Sequence, residues 1–355
     1  MPNANYNRLL TATMAGAILA LLQLVCVLAG EANQKVSLRI NFKQGKERII
    51  HVKTSIVGQM QLVMNGAGRR TIESDIVVNG DSRFTETVKL VGADGEGLIE
   101  LKVREIKLDG IMFGQKATMM VDEGRIVFGI GDFKVDTNAL PEEQRKRIHR
   151  LLFGPLMFTM QPNGKVTSSV GFERLQFIIP NFDPQQFFAN MPPLLPDEPV
   201  AVGETWERRV DMPIVIIERL LPVNFVFKLE STHADEATNH QIANISVSSK
   251  AEVQDVETLT QLPQVRKPVK ARIDSGMFTI EGEGQFDITD GTIIQVELKF
   301  DANFKQSADV PKELLQEEGL IEKEQKGEKG ENVTMSVEVK IAGSMQVLWG
   351  TAVGK

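Results

Sequence analysis

Cysteine and tyrosine are almost missing from this chain. Among its 355 residues there is one of each, Cys26 and Tyr6, and both stand within the first 32 positions. No disulfide framework and no thiol nucleophile can be built from the remainder. Tryptophan occurs only at 206 and 349. Sugar-binding surfaces and nucleic-acid platforms rely on exposed aromatics with a polar handle, so this shortage weighs against both. A basic excess is lacking too. Net charge is −7, with acidic and basic residues interspersed, which favours neither nucleic acid nor an anionic membrane surface as partner. After residue 30 no apolar run is long enough to cross a bilayer, so a polytopic membrane protein is excluded. No Gly-x-Ser-x-Gly elbow is present, and Asn65-Gly66-Ala67-Gly68-Arg69-Arg70 lacks the Gly-Lys-Ser/Thr ending of a phosphate loop. No cofactor motif is found.

What is present begins with an export signal. Arg8 precedes residues 9–30, an apolar run broken only by Thr11, Thr13 and Gln23, and small residues follow at Ala29, Gly30 and Ala32. A positive end, an apolar core and small residues in that order form a secretory signal. Cleavage is expected after Ala32 or after Ala29; the alternative is an uncleaved anchor spanning the bilayer once. Val25 before Cys26 speaks against a lipoprotein. Either way residues 33–355 are expected to be extracytoplasmic, in the periplasm or cell envelope. Removing residues 1–32 takes away Arg8 and Glu31, so the charge stays −7.

Beyond the signal, period-2 alternation dominates, which marks half-buried strands. Residues 36–42 (VSLRINF) alternate and are read as a strand, turning at Lys43-Gln44-Gly45-Lys46. Residues 84–90 and 98–104 read as a hairpin around a Gly-containing loop, and Pro162-Asn163-Gly164-Lys165 as another, because Asn-Gly tolerates the positive φ of such turns. Asp109-Gly110, Glu123-Gly124, residues 129–131 and Asp290-Gly291 are read as turns. Residues 278–288 form a strand with glycine breaks and a suspected bulge; residues 292–304 and 333–349 alternate over long runs.

One helix is expected over residues 140–152, with Asn138 as N-cap, acidic residues first, basic residues later, and the sheet beneath it. A second, short helix is expected over 183–191. Residues 192–199 (PPLLPDEP) read as a linker between an N-terminal β domain, 33–191, and a C-terminal β domain, 200–355. The charged stretch 312–332 reads as solvated helix-loop or disordered. Both halves share a plan of short strand, glycine turn and long hairpins, which suggests a degenerate tandem repeat. The fold class is therefore mostly β: antiparallel curved sheets or half-barrels in two similar halves, with a few short helices.

Candidate chemistry is sparse. His233 and His240 flank Asp235 and Glu236 in one polar turn, without the spacing of a helical metal motif, and read as a solvated loop. His51 and His149 read as structural. No catalytic, cofactor-binding or metal residue is assigned. Met112, Phe113, Met119, Phe128, Phe158, Met160, Met277 and Phe278 fall in β segments. Adaptable Met and Phe side chains line a cavity for an apolar ligand or fill an ordinary core, and both readings stand.

At Pro199-Val200-Ala201-Val202-Gly203-Glu204-Thr205-Trp206 the chain resembles a family of uncharacterised bacterial exported proteins, domain of unknown function 6263. There, a Pro-Asn-Gly-Lys-Val hairpin precedes a Val-Gly-Glu-Thr-Trp segment, as 162–166 precede 202–206 here. The resemblance implies a bacterial envelope location and a β-rich fold, and no chemistry. Three functions stay open: an envelope protein binding a lipid or other apolar molecule, a structural or interaction module with an envelope protein as partner, and a hydrolase with a scattered site. Membrane contact is expected only through the N-terminal segment.

Overall fold

The structure, a computed structural model, describes residues 35–65, 69–112, 114–122, 124–172, 194–213, 220–260, 269–311, 313 and 333–351. The signal segment, the expected helix at 183–191, Phe113 and nearly all of 312–332 lie outside the described residues. Among the described residues no helix is long and apolar enough to cross a membrane.

The alternating runs form fourteen strands of one curved antiparallel sheet that does not close into a barrel. In chain order they are β1 (Glu47–Asn65), β2 (Arg69–Val91), β3 (Gly97–Met112), β4 (Gln115–Asp122), β5 (Arg125–Ile130), β6 (Phe133–Asp136), β7 (Leu156–Met160), β8 (Val166–Val170), β9 (Thr205–Pro213), β10 (Leu220–Ala234), β11 (Gln241–Thr260), β12 (Val269–Asp287), β13 (Thr292–Val310) and β14 (Val333–Thr351). The order is β6-β5-β4-β3-β2-β1-β14-β13-β12-β11-β10-β9. Two meanders, one from each half of the chain, thus meet where the first long strand pairs with the last, in unbroken register from Arg48↔Thr351 to Asn65↔Thr334. β4 and β7 share one side of β3, β4 along Glu105 to Met112 and β7 along Gly97 to Leu101.

The strands are unusually long. At 19 residues, β1 spans about 65 Å. One face is apolar: Ile50, Val52, Ile56, Met60, Leu62 and Met64 on β1 continue across the register into Val337, Val339, Ile341 and Val347 on β14. The other face carries His51, Lys53, Ser55 and Gln59 on β1, and Glu297, Lys299, Asp301, Asn303 and Lys305 on β13.

The apolar face is buried at its two ends. Near the β1–β2 turn, Met60, Leu62 and Met64 pack with Val310, Val333, Met335 and Val337. At the opposite end the sheet curls until Val88 and Ile99 of the first meander share a cluster with Leu229, Ala243 and Phe286 of the second. What fills that end is the segment 36–42. Leu38, Ile40 and Phe42 are buried while Ser37, Arg39 and Asn41 are exposed, so the alternation read from sequence is real. It is not a strand of the sheet, however. It makes one isolated bridge, Val36↔Val200, and crosses the sheet's end, so its amides seek loop carbonyls. Ile40 N–H donates to Pro162 O (2.7 Å) and Asn41 N–H to Gly291 O (2.8 Å), tying both meanders to one segment. Residue 291 must be glycine: its φ is +62° and a Cβ would sit 2.7 Å from Arg39 O.

Other local expectations divide. The β2–β3, β7–β8 and β12–β13 hairpins form where read, and the suspected bulge falls between Gln285 and Phe286. Asp109-Gly110 is not a turn but lies inside β3; a Cβ there would fall 1.8 Å from Val77 O, so glycine serves close strand approach. Helix α1 (Glu142–Phe153) forms, but Asn138 does not cap it. Asp136 instead caps the 3-10 turn Thr137–Ala139, and Pro141 precedes the helix without a side-chain bond. From Glu142 to Arg150 only Ile148 is even half-buried, so this stretch does not bury a face on the sheet; His149 rests against the turn at Gly124. Leu194 to Pro199, expected within a linker, lies folded against the curl: Leu195 N–H donates to Asn163 O at 3.0 Å.

Leu38 is 1% exposed at the centre of the crossing segment. Leu38→Ala is expected to lower the unfolding free energy by about 2–5 kcal/mol, read by urea denaturation. A loss under about 1 kcal/mol would show that the segment does not hold the curl.

Candidate apolar ligand site

Between the two buried clusters much of the apolar face is half-buried, and on the second meander, beside the second cluster, it holds a cavity of about 250 Å³. Its floor is the sheet. The registered rows Trp206–Phe227–Val247–Gly282–Leu298 and Leu229–Ile245–Gly284–Val296 cross five strands there. Phe225, Val210 and Ile293 complete the wall, Leu194 and Leu195 flank it, and almost every exposed lining atom is carbon.

Packing and polar bonds hold these walls in place. Trp206 stacks on Phe227 with ring centroids 5.5 Å apart and planes 9° from parallel. Its indole N–H donates to Leu194 O (2.9 Å), which satisfies the one polar atom the ring brings. Arg208 Nη2 donates to Leu195 O (2.9 Å), and Arg39 Nη2 to Asp197 O (2.7 Å). The segment 194–197 is therefore a strap bound to β9 and to the crossing segment. A cavity open on one side, lined by carbon and flanked by satisfied polar groups, favours hydrocarbon over polar ligands.

The eight Met and Phe residues singled out from sequence do not gather here. Met119 and Phe128 are register partners on β4 and β5, and Phe128 is exposed. Phe158 and Met160 on β7 pack against the cluster around Leu38. Met277 and Phe278 are neighbours on β12 and so point to opposite faces; Met277 borders a shallow depression with Val57 and Ile111 on the polar side of the sheet. Met112 ends β3. None of those described lines the cavity. Its residues were missed because no single motif marks them. The available signal was Phe-x-Phe at 225–227, Ile-x-Val at 245–247 and Gly-x-Gly at 282–284 on consecutive hairpins, which stack apolar positions beside missing side chains.

A charged network sits at the same end of the sheet. His240 Nδ1 lies 2.7 Å from Asp287 Oδ2, and Asp287 Oδ1 accepts from Asp290 N–H at 2.8 Å. The sequence placed His240 in a solvated loop, whereas its ring is half-buried and held. His240, Asp287 and Asp290 bring potential ligand atoms within 4.8 Å of one another. Lys43 Nζ (3.0 Å) and Lys46 Nζ (3.8 Å) already neutralise Asp290, so the trio reads as an ion-pair network. The hydrogen bond and charge of Asp287 raise the His240 pKa above its ordinary value, and Lys43 holds the Asp290 carboxyl below its own. His51 likewise pairs with Asp81 (2.9 Å) across β1 and β2. A cleft between α1 and the β4–β5 turn is lined by Arg125, Arg145, Lys146 and His149, with Arg125 bound to Asp136 and Lys146 to Glu142.

No protein-family model matches the chain, and no curated protein matches it. Among solved structures it is similar to the secretin-domain β-barrel of InvG from the Salmonella SPI-1 injectisome (TM-score 0.15, 7% identity, 88% of this chain and 64% of that one). The chain thus covers less than two thirds of that relative's length. It is also similar to OpdQ of Pseudomonas aeruginosa (0.16, 9%, 85% and 99%) and to the P. putida toluene transporter TodX (0.17, 6%, 88% and 92%). Likenesses at these TM-scores carry no argument about what this chain does.

The raised His240 pKa has a definite sign. A histidine whose folded pKa exceeds its unfolded value of about 6.5 stabilises the fold fully below that value, and the contribution is lost as pH rises through the folded pKa. A histidine NMR titration is expected to place His240 above its ordinary value, and Asp287→Asn to bring it down. An unchanged midpoint in the variant would refute the pairing.

Proposed function

We propose that this is an exported, non-enzymatic protein of the bacterial cell envelope that holds an apolar ligand, such as a lipid, in the concave face of its sheet. The observation that carries this reading is the carbon-lined cavity floored by five strands and flanked by the strap at Leu194 and Leu195. A fold that had only to be stable would fill this space, since interiors pack without voids much larger than water. The charged outward face supports a chain surrounded by water, and the signal read in residues 1–32 supports export. The second reading, an interaction module, draws on the outward face. There Ile111, Val77, Val57 and Ala342 form a cross-strand row, with Val57 at 52% exposure and Ile111 at 42%.

Native mass spectrometry of the protein purified gently from its host envelope, followed by organic extraction, separates the two. A co-purifying hydrocarbon-bearing molecule of defined mass, lost in Phe227→Asp, is the expected result. A bare chain that also fails to take up added apolar probes, or a stoichiometric complex with another protein through the Val57 row, would overturn the ligand reading.

A further inference from the structure

Glycine inside a strand weakens it, so a strand glycine calls for a reason, usually the close approach of another backbone or ring. On the apolar face that reason is plain at most positions. A Cβ at Gly58 would meet Lys340 O at 2.3 Å, at Gly276 the Phe304 ring at 2.5 Å, at Gly282 Glu297 O at 2.2 Å, and at Gly343 the Phe300 ring at 2.5 Å. Gly284 is different. Its Cβ would meet nothing nearer than Gln295 O at 3.4 Å and Val296 Cγ2 at 3.6 Å, which is ordinary contact. Its φ is not in the left-handed region, and it lies within β12, still paired to Ile245 and Val296 just before the bulge at Gln285 and Phe286, rather than in a turn. Packing does not demand glycine there.

What glycine does at 284 is leave a notch in the cavity floor. Its registered neighbours are Ile245 on β11 and Val296 on β13, both of which line the cavity. Any larger side chain would stand between them and fill the space. The cavity volume, about 250 Å³, lies below the ~300–1,000 Å³ of ordinary small-molecule sites. It is too small to enclose a two-chain lipid. The lining offers almost no polar partner, so a polar group carried inside would lose its hydration without compensation.

We infer that the cavity takes the end of a single straight hydrocarbon chain, and that Gly284 is the residue that sets how long a chain it accepts. The polar head of such an amphiphile stays outside in water. This rests on the proposed ligand function and adds to it a ligand class and a specificity-determining residue.

The test uses the full chain and a homologous series of straight-chain saturated acids from hexanoic to hexadecanoic, titrated by calorimetry. In the native protein, affinity is expected to rise about fourfold per methylene and then level off where the chain end reaches the floor. In Gly284→Leu the plateau is expected two or three carbons earlier, which weakens the plateau-length acid about 15- to 60-fold while shorter acids bind as before. Gly284→Ala should fall between. Gly350→Leu, at an exposed strand glycine with nothing within 4 Å, is the control and should leave the series unchanged. Thermal unfolding of Gly284→Leu should match or exceed that of the native chain, since a strand gains from a side chain. If the acids bind but the plateau does not move in Gly284→Leu, the inference about Gly284 fails and the ligand reading survives. If a two-chain phospholipid binds the cavity as well as the acids do, the single-chain class fails. If no chain of any length binds, the ligand reading fails with it.

Discussion

A single sheet with one apolar face must cover that face or curl it inward, and here the covering element is seven residues long. Among the described residues there is no second sheet, and from Glu142 to Arg150 helix α1 leaves every side chain but Ile148 exposed. The burden at the curled end therefore falls on residues 36–42. Leu38, Ile40 and Phe42 enter the space between the meanders, and the amides of Ile40 and Asn41 are satisfied by Pro162 O and Gly291 O, one from each side. Buried apolar surface and satisfied amides both depend on the two meanders being near each other. The segment thus converts a long open ribbon into a trough with one stoppered end.

This explains why some of the fold was legible in the sequence and some was not. Period-2 alternation is local, so the long strands, the Asn-Gly and Asp-Gly turns and even the buried set of residues 36–42 could be read directly. Whether such a stretch pairs as a strand or crosses the sheet depends on which carbonyls surround it, and those come from residues more than a hundred positions away. The same limit applies at Gly110, where sequence offers a turn dipeptide and the neighbouring strand supplies the reason for glycine. The candidate site suffered most. The Met and Phe residues stood out by type, yet type does not say which face or which meander a residue joins. The cavity is made by register, with Phe227 beside Val247 and Ile245 beside Gly284, and register is not printed in any one segment.

The strap shows the same point from the polar side. Residues 192–199 look like a linker because prolines bar regular structure. Proline-rich backbone is also backbone with few donors of its own, and its carbonyls are free to accept. Trp206 and Arg208 supply the donors, at Leu194 O and Leu195 O. A segment without secondary structure is thereby fixed against β9, and two leucines can flank an apolar space without leaving buried polar groups unsatisfied.

The direction of the sheet's two faces bears on what the apolar one meets. In a transmembrane barrel the outward face is apolar and the interior polar. Here β13 turns Glu297, Lys299, Asp301, Asn303 and Lys305 outward and Val296, Leu298, Phe300, Ala302 and Phe304 inward. Lipid tails against that outward row would leave five consecutive outward positions, four of them formally charged, without water, at several kcal/mol each. The apolar face is the one facing the trough. Hydrocarbon that reaches it does so as a molecule inside the protein, and the half-buried stretch between the two packed ends is where the sheet leaves room for one.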